Sequence, residues 1–499
     1  MSQAYDKIEH SQAEKLREEL PRYIALFEAA FEELHHAVVA QARKPNQYIS
    51  PFHDYPIMSF TSSGFPLFSE VGFHRDHEPR DYVGLVRPRG LKGILGGLGL
   101  TEINLPKGTE LTSFFRASEI GRRLNLGALY DRPANDLVAG AVERYLYIHG
   151  LDAPIDPKRR DAVIWPLIFG TINKPLPVRL VVPITMTHFA ADHFRLNASS
   201  YVTRIPRKLQ LARARINSLG SGAVKMVVGA ATHAFVSTGW TVDVNSIDEV
   251  HGSLGQVSSN VLDEIDSFFG ALRVATGHNT GYAQILWMPK GWALDYYCDL
   301  PPIYGATLRR YPNNFDDYGW AREGAMVTTE ELSEVSHIYK SLLNSESEAI
   351  RLAFNRLNAC LTRDDAADAI LDGTIGLELL LGDDQNQSLS YKLRLRSAAL
   401  AMHRGETAHP PCEIAMKVKR LYEARSAIVH GRRKKRSKRA TEPADDRNSE
   451  DRLIASDLLR FVLKVLLDNP QYQEPIRIDE GLLLRGDALE PEPRKMPRQ

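Results

Sequence analysis

Apolar residues recur at threes and fours along residues 11–44, where Leu16, Leu20, Ile24, Leu26, Phe27, Phe31 and Leu34 predict an opening helix. From 45 to about 325 the texture changes. Proline, glycine and aromatic residues punctuate short β-type runs, VRLVVPITM (178–186), KMVVGAATHAFV (225–236) and AQILWMP (283–289). Helical pieces intervene at 133–149 and 257–275. This stretch is predicted as mixed α/β, with its strand order left open by periodicity.

From 328 onward the pattern is helical. TTEELSEVSHIYKSLL begins with a threonine and a glutamate three residues on, the arrangement of a capping box. Further helices are predicted at 345–361, 364–382, 387–404, 411–430 and 449–468, the last with a broad apolar face through Leu453, Leu459, Val462 and Leu466. Short polar connectors between helices of this length predict an antiparallel bundle. Residues 432–448 are basic, then acidic, with no large apolar anchor, and are expected to be a disordered insertion. The expected fold class is α+β, divided as helix 1–45, mixed α/β region 46–327, all-α bundle 328–470 and flexible tail 471–499.

Composition narrows the class. At 499 residues the chain exceeds one ordinary core, and 43% hydrophobic with 25% charged residues is that of a soluble protein. The formal net charge is zero, so any attraction for a polyanion must be local. Cys298, Cys360 and Cys412 lie far apart without a CxxC pair, which predicts reduced thiols rather than a zinc site or disulfide framework. The N-terminus is charged and lacks a signal peptide's apolar stretch, and no segment is long and apolar enough to span a membrane. The expected location is the cytoplasm. His74, His77 and Glu78 crowd metal-ligand types into HRDHE but lack a third anchored partner, and RGLKGILGGLGLT fits no phosphate-loop fingerprint, so neither metal nor cofactor is expected.

One helix end carries candidate chemistry. In LYEARSAIVHG, Arg425 precedes His430 by five residues, and seven cations follow in nine residues. The spacing alone singles out nothing, because it recurs at Arg144/His149 and Arg404/His409. The first of these sits on an amphipathic helix whose aromatic residues explain it, and the second is expected in a solvated turn. For Arg425 and His430 themselves the plain reading is an ion-paired arginine and a histidine capping terminal carbonyls. Glu378, in an otherwise apolar helix, needs a cation, with Arg396 and Arg425 as candidates.

The combined string LDGTIGLELLLGDDQNQSLSYKLRLRSAALAM, followed by VKRLYEARSAIVHG, resembles the ApeA-like HEPN domain over roughly 330–470. HEPN domains are small helical bundles, many of them metal-independent ribonucleases in prokaryotic defence and toxin systems. Their signature is an arginine with a polar neighbour, then a histidine near a helix end. The resemblance places Arg425, Ser426 and His430 on that signature and Glu378 and Arg396 at its recurrent acidic and basic positions. It implies an endoribonuclease active in anti-phage defence or abortive infection, paired as a homodimer through the bundle. The region before 328 would then respond to an unidentified trigger.

The residues suit that chemistry. RNA carries its own nucleophile, the 2′-hydroxyl, so cleavage needs a base, a cation at the phosphate and a proton for the leaving oxygen. Histidine titrates near neutrality and arginine offers a planar fork of donors to phosphate. Five residues at about 100° each leave Arg425 and His430 some 140° apart around a straight helix. Hence the arginine wraps around, the histidine sits where the helix ends, or two chains complete one site. Arg432, Arg433, Lys434, Lys435, Arg436, Lys438 and Arg439 would hold RNA nearby through salt-sensitive contacts. The rival is a non-catalytic HEPN module binding RNA, a nucleotide or a protein partner. A third reading makes the N-terminal region the enzyme, but no nucleophile, metal or phosphate-loop constellation supports it there.

Overall fold

In the computed structural model of the protein, which describes residues 2–52, 55–70, 80–86, 105–123, 132–216, 222–243, 247–312, 315–316, 325–345, 347–383, 388–405, 408–430 and 444–484, the opening stripe becomes α1 (Ser2–Ala42). Tyr23, Phe27, Phe31, Leu34 and Val38 form its buried face. Against that face close α2 (Pro106–Ala117), α3 (Glu119–Arg123), α4 (Arg132–His149) and α5 (Pro157–Ile172), through Phe115, Ile120, Tyr145 and Leu167 among others. The helix belongs to a helical cluster with a core of its own.

A short hairpin of β1 (Pro56–Phe60) and β2 (Pro66–Glu70) precedes the main sheet. That sheet comprises β3 (Leu176–Thr185), β5 (His193–Arg195), β6 (Ser200–Arg204), β7 (His233–Val242), β8 (Gly281–Pro289) and β9 (Tyr304–Arg310), ordered β5-β6-β7-β3-β8-β9 and antiparallel throughout. Successive side chains of β3 alternate between two covered faces. Leu180, Val182 and Ile184 enter the main core, while Val181 meets Leu209 of α6 (Arg207–Ala214) on the other side. The 225–236 run is not one strand. Its first half is α7 (Gly222–Gly229), and the strand begins at His233. A short, largely apolar run carries too little period to distinguish the two. Arg213, fully buried, ends α7 by donating to the carbonyls of Val228 and Gly229.

Beyond α8 (Ile247–Gly255), helix α9 (Ser259–Thr276) lies across the sheet. Phe268 stacks on Phe235 of β7 at 4.3 Å, and both rings meet Tyr339 edge-on. Tyr339 belongs to α10 (Thr329–Leu343), which the chain reaches after β10 (Ala325–Val327) pairs in parallel with β4 (Thr187–Phe189). The capping box at its start is formed: Thr328 Oγ1 accepts from the Glu331 amide at 3.2 Å, and the Glu331 carboxylate accepts from the Thr328 amide at 2.8 Å. Sheet and bundle share one continuous apolar core, so the change at 328 is one of secondary structure rather than of packing.

The bundle continues through α11 (Glu348–Thr362), α12 (Ala366–Leu381), α13 (Leu389–Arg404), α14 (Pro411–Val429) and α15 (Ala444–Asp468). Glycines on α12 bring it close to α15: a Cβ at Gly376 would stand 2.6 Å from Leu459 Cδ2, and one at Gly373 2.8 Å from the Cβ of Ala455. Two expectations of disorder are corrected. Residues 444–448, assigned to the insertion, lie in α15. The tail expected from 471 instead folds back as a turn at 470–472, α16 (Pro475–Ile478) and a further helical turn to Leu484. Tyr472, Ile478 and Leu482 are buried there, which a short segment mixing apolar with charged residues did not signal. Among the described residues no helix is long and apolar enough to cross a membrane.

Candidate functional site

Glu378 projects from α12 and Arg425 from α14. Arg425 Nη2 donates to Glu378 Oε2 at 3.3 Å, and Arg425 Nε stands 3.2 Å from Oε1. The second approach is off the line of a hydrogen bond, so Nε and Oε1 are both buried with their hydrogen-bonding capacity unused. The side chains retain 28% and 18% exposure respectively. The guanidinium also lies 5.4 Å from the centre of the Tyr422 ring, within cation–π range. Burial holds the Glu378 carboxyl above the ordinary glutamate range, with the charge of Arg425 pulling the other way. Of the two cations expected for Glu378, Arg425 is the partner.

Arg396 has a different task. It is 2% exposed and grips Asp479 in a fork, Nε to Oδ1 at 2.8 Å and Nη2 to Oδ2 at 2.5 Å. Its remaining donors go to Asp383 Oδ2 at 3.1 Å and the Leu381 carbonyl at 2.7 Å. Asp383, bound also by Lys392, is held below the usual carboxylate range by Lys392 first and Arg396 after it. This clasp pins the C-terminal turns to α12 and α13. Arg396 is a structural anchor and does not join Arg425.

His430 is the first residue past α14, with φ −93° and ψ 4°, and its amide donates to the Ser426 carbonyl at 3.1 Å. Its ring is exposed and has no hydrogen-bond partner among the described residues. His430 thus sits where the helix ends. Arg425 turns inward to α12, His430 turns to solvent, and Ser426 between them is half-buried. One chain thus brings Arg425 to Glu378 but leaves His430 apart from both.

The cationic run 432–439, the HRDHE segment and the glycine-rich 89–101 stretch lie outside the described residues. No group of metal-ligating side chains occurs among the described ones. Arg144 donates to the Cys298 and Leu300 carbonyls at 3.2 and 2.9 Å, and His149 packs on Tyr145, so that pair is structural. Arg404 and His409 are not a solvated turn. Arg404 pairs with Asp468 at 3.1 Å, His409 stacks on Phe461 at 4.8 Å, and both line a cleft between α9 and the bundle. The sequence signal for it was faint: His409 sits beside a double proline, and its partners lie tens of residues away. In comparisons with known proteins, no family model, no curated protein and no solved structure matches the chain.

Proposed function

We propose that the C-terminal bundle is a HEPN-type endoribonuclease that cuts RNA without a metal ion. His430 takes the proton of the 2′-hydroxyl as that oxygen attacks the adjacent phosphorus. The bond from phosphorus to the 5′-oxygen breaks, and the leaving oxygen takes a proton from water while His430 returns its own to solvent, giving a 2′,3′-cyclic phosphate and a 5′-hydroxyl. Arg425 donates to the non-bridging oxygens as their charge builds. The basic run from Arg432 to Arg439 holds the strand near the site. The protein acts in the cytoplasm, kept quiet by the region before 328 until a trigger such as phage infection releases it.

The observation that carries the reading is the pairing of Arg425 with Glu378, on a helix that ends in a histidine whose ring is left in solvent. A glutamate that fixes one edge of the guanidinium leaves the remaining donor edge oriented for a phosphate. Because Arg425 and His430 diverge around α14, the composite site is assigned to a homodimer, each chain giving its histidine to the other's arginine. Complementation tests this. Arg425→Ala and His430→Ala chains are each inactive alone; mixed, with random exchange, they regain about a quarter of wild-type activity, since half the dimers are mixed and each has one complete site. No recovery despite subunit exchange would place the site within one chain.

The rival reading also has an observation in its favour: Glu378 already neutralises Arg425. In a non-catalytic module that ion pair is simply structural, and RNA remains intact in the presence of either variant or the wild type.

A further inference from the structure

The cleft lined by Arg404 and His409 has a volume of about 390 Å³, within the range of small-molecule sites. It lies where the end of α9, Val274–Gly277, meets the last turn of α13, the start of α14 and the middle of α15. Four cations line it, Arg404, Lys417, Arg460 and Lys464, against one carboxylate, Asp457. Its apolar wall includes Ile414 and Leu458, with the Phe461 and His409 rings stacked 24° from parallel.

Arg460 is the informative residue. Its side chain is 12% exposed, yet its Nε is buried with no hydrogen-bond partner. The Nη2 group donates to Asn279, and Nη1 faces Asp457 at 3.3 Å, a carboxylate that is itself 66% exposed. Burial depresses the affinity of this guanidinium for its proton. Fully buried Arg273 of α9 is close enough for the charge of Arg460 to help depress its own proton affinity, so the two cations add like charge to one another. A cation held this way, with its carboxylate in water, is under-compensated. The other cations pair at the rim: Arg404 with Asp468, Lys417 with Glu413 at 2.8 Å and Lys464 with Glu334 at 2.8 Å. Those carboxylates are 38–47% exposed, so the pairs are weak, and an incoming anion can share the cations.

We propose that this cleft binds a phosphate monoester carrying a flat ring, of mononucleotide class, with the phosphate on Arg404, Lys417, Arg460 and Lys464 and the ring against His409 and Phe461. The ligand would span the sheet-bearing part of the molecule, through α9, and the bundle, through α13, α14 and α15. Its site is separate from Arg425 and His430, and its occupancy does not depend on RNA cleavage.

Calorimetric titration of the full-length protein with AMP, GMP, CMP and UMP, and separately with inorganic phosphate and adenosine, tests the assignment. At least one mononucleotide should bind more tightly than inorganic phosphate, with adenosine weaker still. The rim variant Lys417→Gln/Lys464→Gln, whose surface changes spare the core, should weaken that mononucleotide about tenfold. Arg460→Gln should weaken it further, and Arg425→Ala should leave it unchanged, which separates this cleft from the proposed catalytic site. The proposal is overturned if no mononucleotide binds at millimolar concentration, if inorganic phosphate binds as well as every mononucleotide, or if the rim variant binds every mononucleotide as wild type does.

Discussion

Glu378 and Arg425 face one another across α12 and α14 with two oxygen–nitrogen separations of 3.2 and 3.3 Å, both side chains more than two-thirds buried. The two partners are not equivalent. Glu378 is raised above its ordinary pKa because burial outweighs the attraction of Arg425. The folded state therefore binds that proton more readily than the unfolded chain, and this group favours folding more as pH falls through its raised value.

Removing Arg425 strands a buried carboxylate. Arg425→Met is expected to destabilise the protein by about 1–3 kcal/mol at neutral pH. The loss should shrink as the pH is lowered from neutral and Glu378 takes up its proton. Thermal unfolding of variant and wild type across this range checks it; a constant difference would show that the carboxylate does not titrate in this environment.

Glu378→Gln removes the charge that burial disfavours and keeps a hydrogen-bond acceptor for Arg425. Its stability should change by less than about 1 kcal/mol, while RNA cleavage falls because the guanidinium loses its fixed edge. Denaturant titration together with a cleavage assay separates the two effects.

The clasp of Arg396 on Asp479 and Asp383 holds a segment that looks expendable in the sequence. Arg396→Met should lower stability by about 2–4 kcal/mol and open residues 470–484 to limited proteolysis. A variant that unfolds like the wild type and resists the protease would deny the clasp its anchoring role.

Gly376 sets the approach of α12 to α15. Gly376→Ala drives a Cβ to 2.6 Å from Leu459 and should destabilise by about 1–3 kcal/mol. Shortening Leu459 to valine in the same chain should recover part of the loss, as a double-mutant cycle would show.

Much of this was readable before the fold was known. The helices of the C-terminal half declare themselves through amphipathic period and the Thr328 capping box, β3 through its β-branched run and β8 through its apolar and aromatic one. A lone glutamate in GLELLLG had to find a cation. Which arginine it found depends on the rotation of α13 and α14 about their axes, and sequence spacing does not carry that angle between helices. The 225–229 helix was hidden because so short a piece, running straight into the apolar strand that follows, shows no helical period. The folded C-terminal turns depend on Asp479 meeting Arg396 across 83 residues, a contact with no local signature. Arg404 and His409 looked idle because their cleft is completed by α9 and α15.

The central claim is that Arg425 and His430 cleave RNA by transferring the 2′-hydroxyl proton. The most direct measurement is incubation of the purified protein with total RNA in EDTA, with the fragment ends identified for wild type, Arg425→Ala and His430→Ala. The wild type should give 2′,3′-cyclic phosphate and 5′-hydroxyl ends, and both folded variants should leave the RNA intact. Cleavage that requires a divalent ion and leaves 5′-phosphates, or that survives loss of the imidazole, would contradict the claim.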